Sequence, residues 1–284
     1  MTQRYTSYLD IFQPHPVLGW SLTPNRRREI LFRGDAVENI GGDGWRVVAG
    51  APAKAKWKIA FYGCSFTFGC SLRDEETFAS ILQSMLPDVQ VLNRGVGGYG
   101  TTQSYLQFRS DVREGKIDGA VFCLISDHRY RNYAHPNWMR RHLSMRWHQI
   151  GVEHMPRARI DRSGKVWIEF IPIWQPGLLH ENFQFVFPDE FTLDYLAAAL
   201  LQEIREMAAA HDIPTAIAIL DSVDESFAAI LRKQFPDVLD ASTPYDANHT
   251  FLPHDIHPNT RANEIFAQKL FPRVVSILSD LESR

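Results

Sequence analysis

Four short stretches of this chain concentrate the side chains that can attack a carbonyl carbon, move a proton or hold an anion. The first is Gly63-Cys64-Ser65, where a small nucleophile follows a glycine at the end of an apolar run. The second, Asn93-Arg94-Gly95-Val96-Gly97-Gly98-Tyr99-Gly100-Thr101, offers backbone N–H groups with little side-chain cover. The third is Ser126-Asp127-His128-Arg129-Tyr130-Arg131-Asn132, and the fourth is His254-Asp255-Ile256-His257-Pro258-Asn259. Acyl transfer needs a nucleophile, a base to take its proton, a group to orient that base, and donors for the developing oxyanion. Ser65 supplies the first, His257 the second, Asp255 the third, and the backbone N–H of Gly98 belongs to the fourth.

These stretches can act together only if folding carries them to one edge. The pattern from residue 57 onward alternates strand and helix. Strands are expected at 58–62, 89–93, 119–125, 214–220 and, shorter, near 238–240. Gly119-Ala-Val-Phe-Cys-Leu-Ile is apolar without alternation, as suits a strand buried on both faces of a parallel sheet. In such a sheet ligands bind beyond the carboxyl ends of the strands, and each of the four stretches follows a strand. Between them, Phe78, Ile81, Leu82 and Met85 recur at helical spacing behind the acidic turn Asp74-Glu75-Glu76,. The longest stripe runs from Leu193 to Met207. Ser222-Val-Asp-Glu225 reads as a capping box. A last helix starts near Thr260, where Pro272 should kink or restart it.

Two regions depart from the alternation. Residues 1–56 read as a small β-rich leader, interrupted by Pro14, Pro16 and Pro24, with short strands at Arg28-Glu-Ile-Leu-Phe and Trp45-Arg-Val-Val,. Its Arg26-Arg27-Arg28 triplet reads as a solvated strand edge rather than a phosphate site. An insertion at about 133–189 carries Trp138, Trp147, Trp167 and Trp174 with His142, His148, His154 and His180. It is either a subdomain with its own core or a lid, and Asp161-Arg-Ser-Gly164 marks a hairpin within it.

Composition removes several function classes. The formal charge of -3 over 284 residues gives no basic field for nucleic acid,. No apolar run is long enough for a membrane span, and the N-terminus lacks the pattern of a signal peptide. Three cysteines without paired spacing, Cys64, Cys70 and Cys123, fit reduced thiols,. A soluble, cytoplasmic protein is expected.

Each candidate residue also has a plain structural reading. Ser65 could merely cap the next helix, and His257 could be a surface histidine. Cys64 is a rival nucleophile, but neighbouring side chains at a strand end point apart, which sends Cys64 to the core. A metal site from His254, Asp255, His257 and Asp127 has suitable ligand types but no supporting spacing. The glycines at 97, 98 and 100 lack a dinucleotide fingerprint. No cofactor and no metal are expected.

The blocks together resemble the SGNH (GDSL) hydrolase family. Gly63-Cys64-Ser65-Phe66-Thr67-Phe68-Gly69 is similar to its nucleophile block, with Cys64 in place of the usual aspartate. Asn93-Arg-Gly-Val-Gly-Gly98-Tyr-Gly-Thr is similar to its oxyanion-glycine block, and Asp255-Ile-His257-Pro-Asn to its late Asp–His pair, one residue closer than the commoner spacing. The resemblance covers residues 57 to about 132 and about 190 onward. It implies a flavodoxin-like three-layer α/β sandwich with a parallel sheet of about five strands, a small leader and an inserted lid. It also implies a serine esterase or acylhydrolase acting on small acyl esters, O-acetyl groups on carbohydrate among them, through acyl-Ser65. The family's oxyanion asparagine aligns with Asp127, which accepts hydrogen bonds when ionised and would repel an oxyanion. Either Asp127 is held protonated, or it turns to Arg129 or Arg131 and His128 or Asn132 supplies the donor. Two alternatives stay open: an acyltransferase with the same triad, and a non-catalytic binding module on the same fold. The expected partner is a small-molecule or carbohydrate ester. The sequence does not give an oligomeric state.

Overall fold

The structure, a computed structural model, describes residues 8–34, 36–144, 147–173, 188–221 and 225–284. Four strands come first: β1 (Phe12–His15), β2 (Gly19–Leu22), β3 (Arg27–Glu29) and β4 (Val37–Asn39). Then follow β5 (Trp57–Gly63), α1 (Ser65–Phe68), α2 (Phe78–Met85), β6 (Val89–Gly95), α3 (Thr101–Arg113) and β7 (Gly119–Leu124). Helices α4 (His128–Tyr133) and α5 (Pro136–Ser144) lead to β8 (His154–Ile160) and β9 (Val166–Pro172). The chain closes with α6 (Glu190–Ala210), β10 (Thr215–Ile219), α7 (Glu225–Gln234), β11 (Leu239–Asp240) and α8 (Thr260–Glu282).

The main sheet has the order β11-β10-β7-β5-β6, and every pairing in it is parallel. Numbered along the chain within the sheet, this is the 2-1-3-4-5 order of flavodoxin-like folds. Alternate residues of each strand feed two cores. Ile59 and Phe61 pack with α2 and α8 on one face, while Ala60 and Tyr62 pack with α6 and α7 on the other. The result is a three-layer α/β sandwich whose strands are apolar throughout because both faces are covered.

Two glycines set how closely the site's elements meet. A Cβ on Gly63 would lie 2.1 Å from Thr67 Oγ1 and 2.8 Å from the Cys123 carbonyl oxygen. One on Gly95 would lie 2.3 Å from the Phe68 backbone nitrogen. Helix α1 therefore sits directly on the ends of β5 and β6 only because both strands finish in glycine.

Several expectations change. The leader forms β1–β2 around Pro14 and Pro16, with Pro14 opposite Trp20 at an edge where its missing N–H costs nothing,. Of the expected strand at Arg28-Glu-Ile-Leu-Phe only β3 is extended, and residues 31–33 form a 3-10 turn. Trp45-Arg-Val-Val is no strand, although Arg46 makes isolated bridges to Ile40 and Asn93. Arg28 is not a solvated edge charge but a buried one, paired with Glu38. Helix α8 runs through Pro272 without a break. The proline and Gln268, whose carbonyl it releases, both lie on the exposed face, where water serves that carbonyl,. The expected hairpin is present: Ile160 pairs with Val166 and Gly164 takes φ +86.

Trp20, Trp138 and Trp147 form one stack with Phe12 and Tyr99, so leader and insertion share a core rather than having separate ones. Trp167 is exposed. Trp174 and His180 lie outside the described residues, as do the side chains of His142 and His148 and the first three residues of the expected capping box.

Candidate active site

Ser65 is the first residue of α1, immediately beyond the carboxyl end of β5. Its N–H and that of Gly98 have no acceptor among the described residues. Gly98 follows β6, which pairs with β5 at Gly63–Gly95, so both free donors lie at the same sheet edge. Its φ of +81 is a left-handed conformation that suits glycine,. Trp20 Nε1 fixes the loop by donating to the Gly97 carbonyl at 2.9 Å.

His257 and Asp255 stand on the loop before α8. Their Nδ1 and Oδ1 atoms are 2.7 Å apart, and the His257 N–H also meets Asp255 at 3.3 Å. The second carboxylate oxygen accepts from the Ser71 hydroxyl. Burial opposes ionisation of Asp255, but His257 and Ser71 hold its carboxyl down to about 2. Burial likewise works against a charged His257. The Cys70 sulfur and the Asp255 carboxylate outweigh it and raise the imidazole well above its usual 6.5.

The imidazole lies beside the turn that carries Ser65. Its ring centre is 5.9 Å from that of Phe66, and the Cys70 sulfur, whose residue's own N–H donates to the Ser65 carbonyl, lies within 4.8 Å of a ring nitrogen. No hydrogen bond joins Ser65 Oγ to His257 in this structure. Sequence reasoning placed Ser65, Asp255 and His257 at one edge but missed Cys70, Ser71, Arg28 and Glu38. Arg28 donates to Glu38 at 2.5 and 2.7 Å and to Cys70 Sγ at 3.5 Å, while the Ser71 N–H meets Glu38 at 2.6 Å. Arg46 adds a second brace, donating to Asp74 and to the Leu72 and Phe68 carbonyls.

The third loop divides. The Asp127 side chain is 45% exposed and accepts from Arg131 at 3.4 Å, one of the two arrangements expected of it. His128 is fully buried with no hydrogen-bond partner for either ring nitrogen among the described residues. Burial, with Arg131 beside it, keeps that imidazole far below 6.5 and therefore neutral. Asn132 is also fully buried, and its Oδ1 accepts from the Thr102 N–H at 3.0 Å. It holds the start of α3 in place, and a Cβ on Gly100 would strike it at 2.7 Å. Neither side chain reaches solvent in this state. Asp221, on the loop after β10, accepts from the Ser126 N–H and hydroxyl, and burial raises its carboxyl to about 6. A cavity of 420 Å³ opens at Asp127 and is lined further by Tyr130, His135, Asn137, Trp138 and Glu190.

Cys64 is fully buried in the core between sheet and α2. His254 stacks on Phe32, and His249 bonds Asp246 at 2.8 Å. Neither joins Asp127 in a ligand set; among the described residues the atoms grouped closely enough for a metal are those of Cys70, Asp255 and His257.

No protein-family model matches the chain, and no curated protein matches it. Among solved structures it is similar to an acetylxylan esterase from Geobacillus stearothermophilus, at 11% identity and TM-score 0.44, over 77% of this chain and 94% of that one. It is similar to a psychrotrophic esterase from Pseudoalteromonas at 12% identity and TM-score 0.43, over 78% and 98%. It is also similar to a protein described as lipolytic and of the G-D-S-L family from Desulfitobacterium hafniense, at 14% identity and TM-score 0.44, over 76% and 99%.

Proposed function

We propose that this chain hydrolyses small acyl esters through an acyl-Ser65 intermediate. The observation that carries this reading is the pairing of two free N–H donors, Ser65 and Gly98, with an Asp255-held imidazole beside the same turn. Asp255 engages Nδ1, which leaves Nε2 of His257 to take the Ser65 proton. Ser65 Oγ then bonds to the acyl carbon, and the carbonyl oxygen gathers negative charge against the two N–H groups. The ester C–O bond breaks as His257 returns the proton to the alcohol. Water repeats the sequence on the acyl-enzyme and releases the acid.

Cys70, though nearer the base, is the weaker candidate. The Cys70 and Ser65 side chains are both buried, but the Cys70 N–H is spent on the Ser65 carbonyl, so Cys70, unlike Ser65, brings no oxyanion donor of its own. The missing Ser65–His257 hydrogen bond is a contact that substrate-free sites commonly hold open until substrate closes them. None of Ser65, Gly98, Asp255 and His257 lines the cavity at Asp127; its place beyond the carboxyl end of β7, at the same sheet edge, makes it the candidate for the alcohol side of the ester. Its Tyr130 ring with carboxylate and amide groups fits a carbohydrate carrying O-acetyl groups,.

A fluorophosphonate probe and an aryl acetate test the reading together. The wild-type chain is expected to be labelled at Ser65 and to turn over the ester, and Ser65→Ala to lose both. Turnover retained in Ser65→Ala would sink the mechanism. Absence of labelling in the wild type would favour a binding module instead.

A further inference from the structure

The contacts around His257 describe more than a base with its orienting acid. Cys70 reaches the imidazole from the loop between α1 and α2, while Asp255 and His257 come from the loop before α8. One donor atom from each residue lies within 4.8 Å of the other two. A tetrahedral zinc ion bound at about 2.0–2.3 Å by sulfur, nitrogen and carboxylate oxygen sets its ligands roughly 3.3–3.8 Å apart. Closing the present arrangement onto such an ion takes movements of roughly 1 Å. We propose that Cys70, Asp255 and His257 form a binding site for a zinc-like divalent ion, and that filling it switches the esterase off.

The chemistry of the donor set selects the ion. A thiolate with an imidazole and a single carboxylate is a borderline-soft set, suited to zinc and cobalt and poor for magnesium or calcium. Three protein ligands leave a fourth position, and the partial exposure of Asp255 and His257, at 18% and 19%, opens that side to water. Groups around the ligands hold them in orientation, as bound metals require. Ser71 donates to Asp255 Oδ2, and the Ser71 N–H is anchored on Glu38. Arg28 approaches the sulfur at 3.5 Å, a position that would repel a cation if its charge were free. It is not free: Glu38 neutralises it through two short contacts. Binding displaces the thiol proton and takes up the one lone pair of the neutral imidazole, through whichever ring nitrogen meets the ion, so none remains to accept the proton of Ser65.

Metal binding stands on the three ligands alone, whereas inhibition rests on the reading of His257 as the base. Two readouts therefore separate them. Cobalt(II) titrated into the metal-free, reduced protein is expected to give a near-ultraviolet sulfur-to-metal charge-transfer band. Cys70→Ser should abolish that band, since Cys64 and Cys123 are sealed in the core. Asp255→Asn, which keeps the shape of the side chain, should weaken cobalt binding at least about tenfold, within the range seen when groups holding a metal are lost. In the ester assay, zinc is expected to lower wild-type turnover at least tenfold and a chelator to restore it. The zinc concentration giving half-inhibition, measured against each protein's own metal-free rate, should rise at least tenfold in Cys70→Ser. No cobalt band in the wild type, or an undiminished band in Cys70→Ser, overturns the site. Equal zinc sensitivity of the two proteins overturns the switch. If Ser65 proves not to be a nucleophile, the cobalt titration still decides whether the site exists.

Discussion

At the scale of single residues, the electrostatics of His257 make a measurable demand. In the proposed reaction His257 is the base, which must be neutral to accept a proton, and Cys70 and Asp255 hold its imidazole charged to a pH well above 6.5. In metal-free buffer the acid limb of kcat/KM against pH is therefore expected to lie above 6.5, not at the ordinary histidine value. Asp255→Asn should move the limb down and cut kcat by about 10³–10⁴-fold, the scale of a lost triad carboxylate. A limb at or below 6.5 in the wild type would contradict the geometry. The same pair links stability to pH with a definite sign. The raised His257 contributes stability fully below 6.5 and loses it as pH rises through its folded value,. The depressed Asp255 contributes above 3.8 and loses it as pH falls toward about 2,. Ser65, Asp255 and His257 were legible in the sequence because each sits in a short block whose neighbours fix its backbone setting. Cys70 was not, because its role comes from a histidine on a distant segment. The burial of Asn132 and its Oδ1 contact with the Thr102 N–H were not legible either, because they come from a helix on another segment.

At the scale of elements, the turn from α1 to α2 depends on the leader. Glu38 on β4 and Arg28 on β3 face each other in the interior; Glu38 accepts from the Ser71 N–H and Arg28 reaches the Cys70 sulfur. A buried pair broken from one side leaves an uncompensated charge, which costs about 3–5 kcal/mol. Glu38→Gln is expected to lower stability by that order in urea unfolding, with an unchanged denaturant slope. A loss under about 0.5 kcal/mol, the range of ordinary surface changes, would show that the pair does not brace the turn. The sequence announced the five parallel strands and their flanking helices through apolar runs and helical spacing. The leader's own strands were hidden by Pro14 and Pro16, residues that edge strands tolerate and that pattern reading counts as breaks,. Pro272 was the converse case, a helix breaker placed where solvent removes its penalty.

At the scale of the whole molecule, the leader, α3 and the insertion meet in one apolar cluster. Trp20, Trp147 and Met155 are fully buried there together with Tyr99, whose hydroxyl donates to the Trp20 carbonyl. Loss of a single buried tryptophan side chain typically costs about 3–5 kcal/mol. A chain beginning at Trp57 is therefore expected to melt without a cooperative transition, or to aggregate, when followed by circular dichroism and gel filtration. Cooperative unfolding near the full-length midpoint would make the leader a separable unit. Nothing in the spacing of residues 1–56 and 133–189 signals this shared core, because neither region carries periodicity that names the other as its partner.

The hydrogen bond from Ser71 to Asp255 spans 184 positions of chain, and that from the Phe78 N–H to Asn263 spans 185. Together they date the moment at which the site can exist. A growing chain exposes Ser65 and its free N–H groups early, yet the imidazole and its carboxylate arrive only when the final loop has emerged and α8 has docked against α2. Long-range contacts of this kind form late because the intervening loop must close first. In the proposed reaction Ser65 therefore lacks its base until α8 has docked, and loses it again whenever α8 detaches.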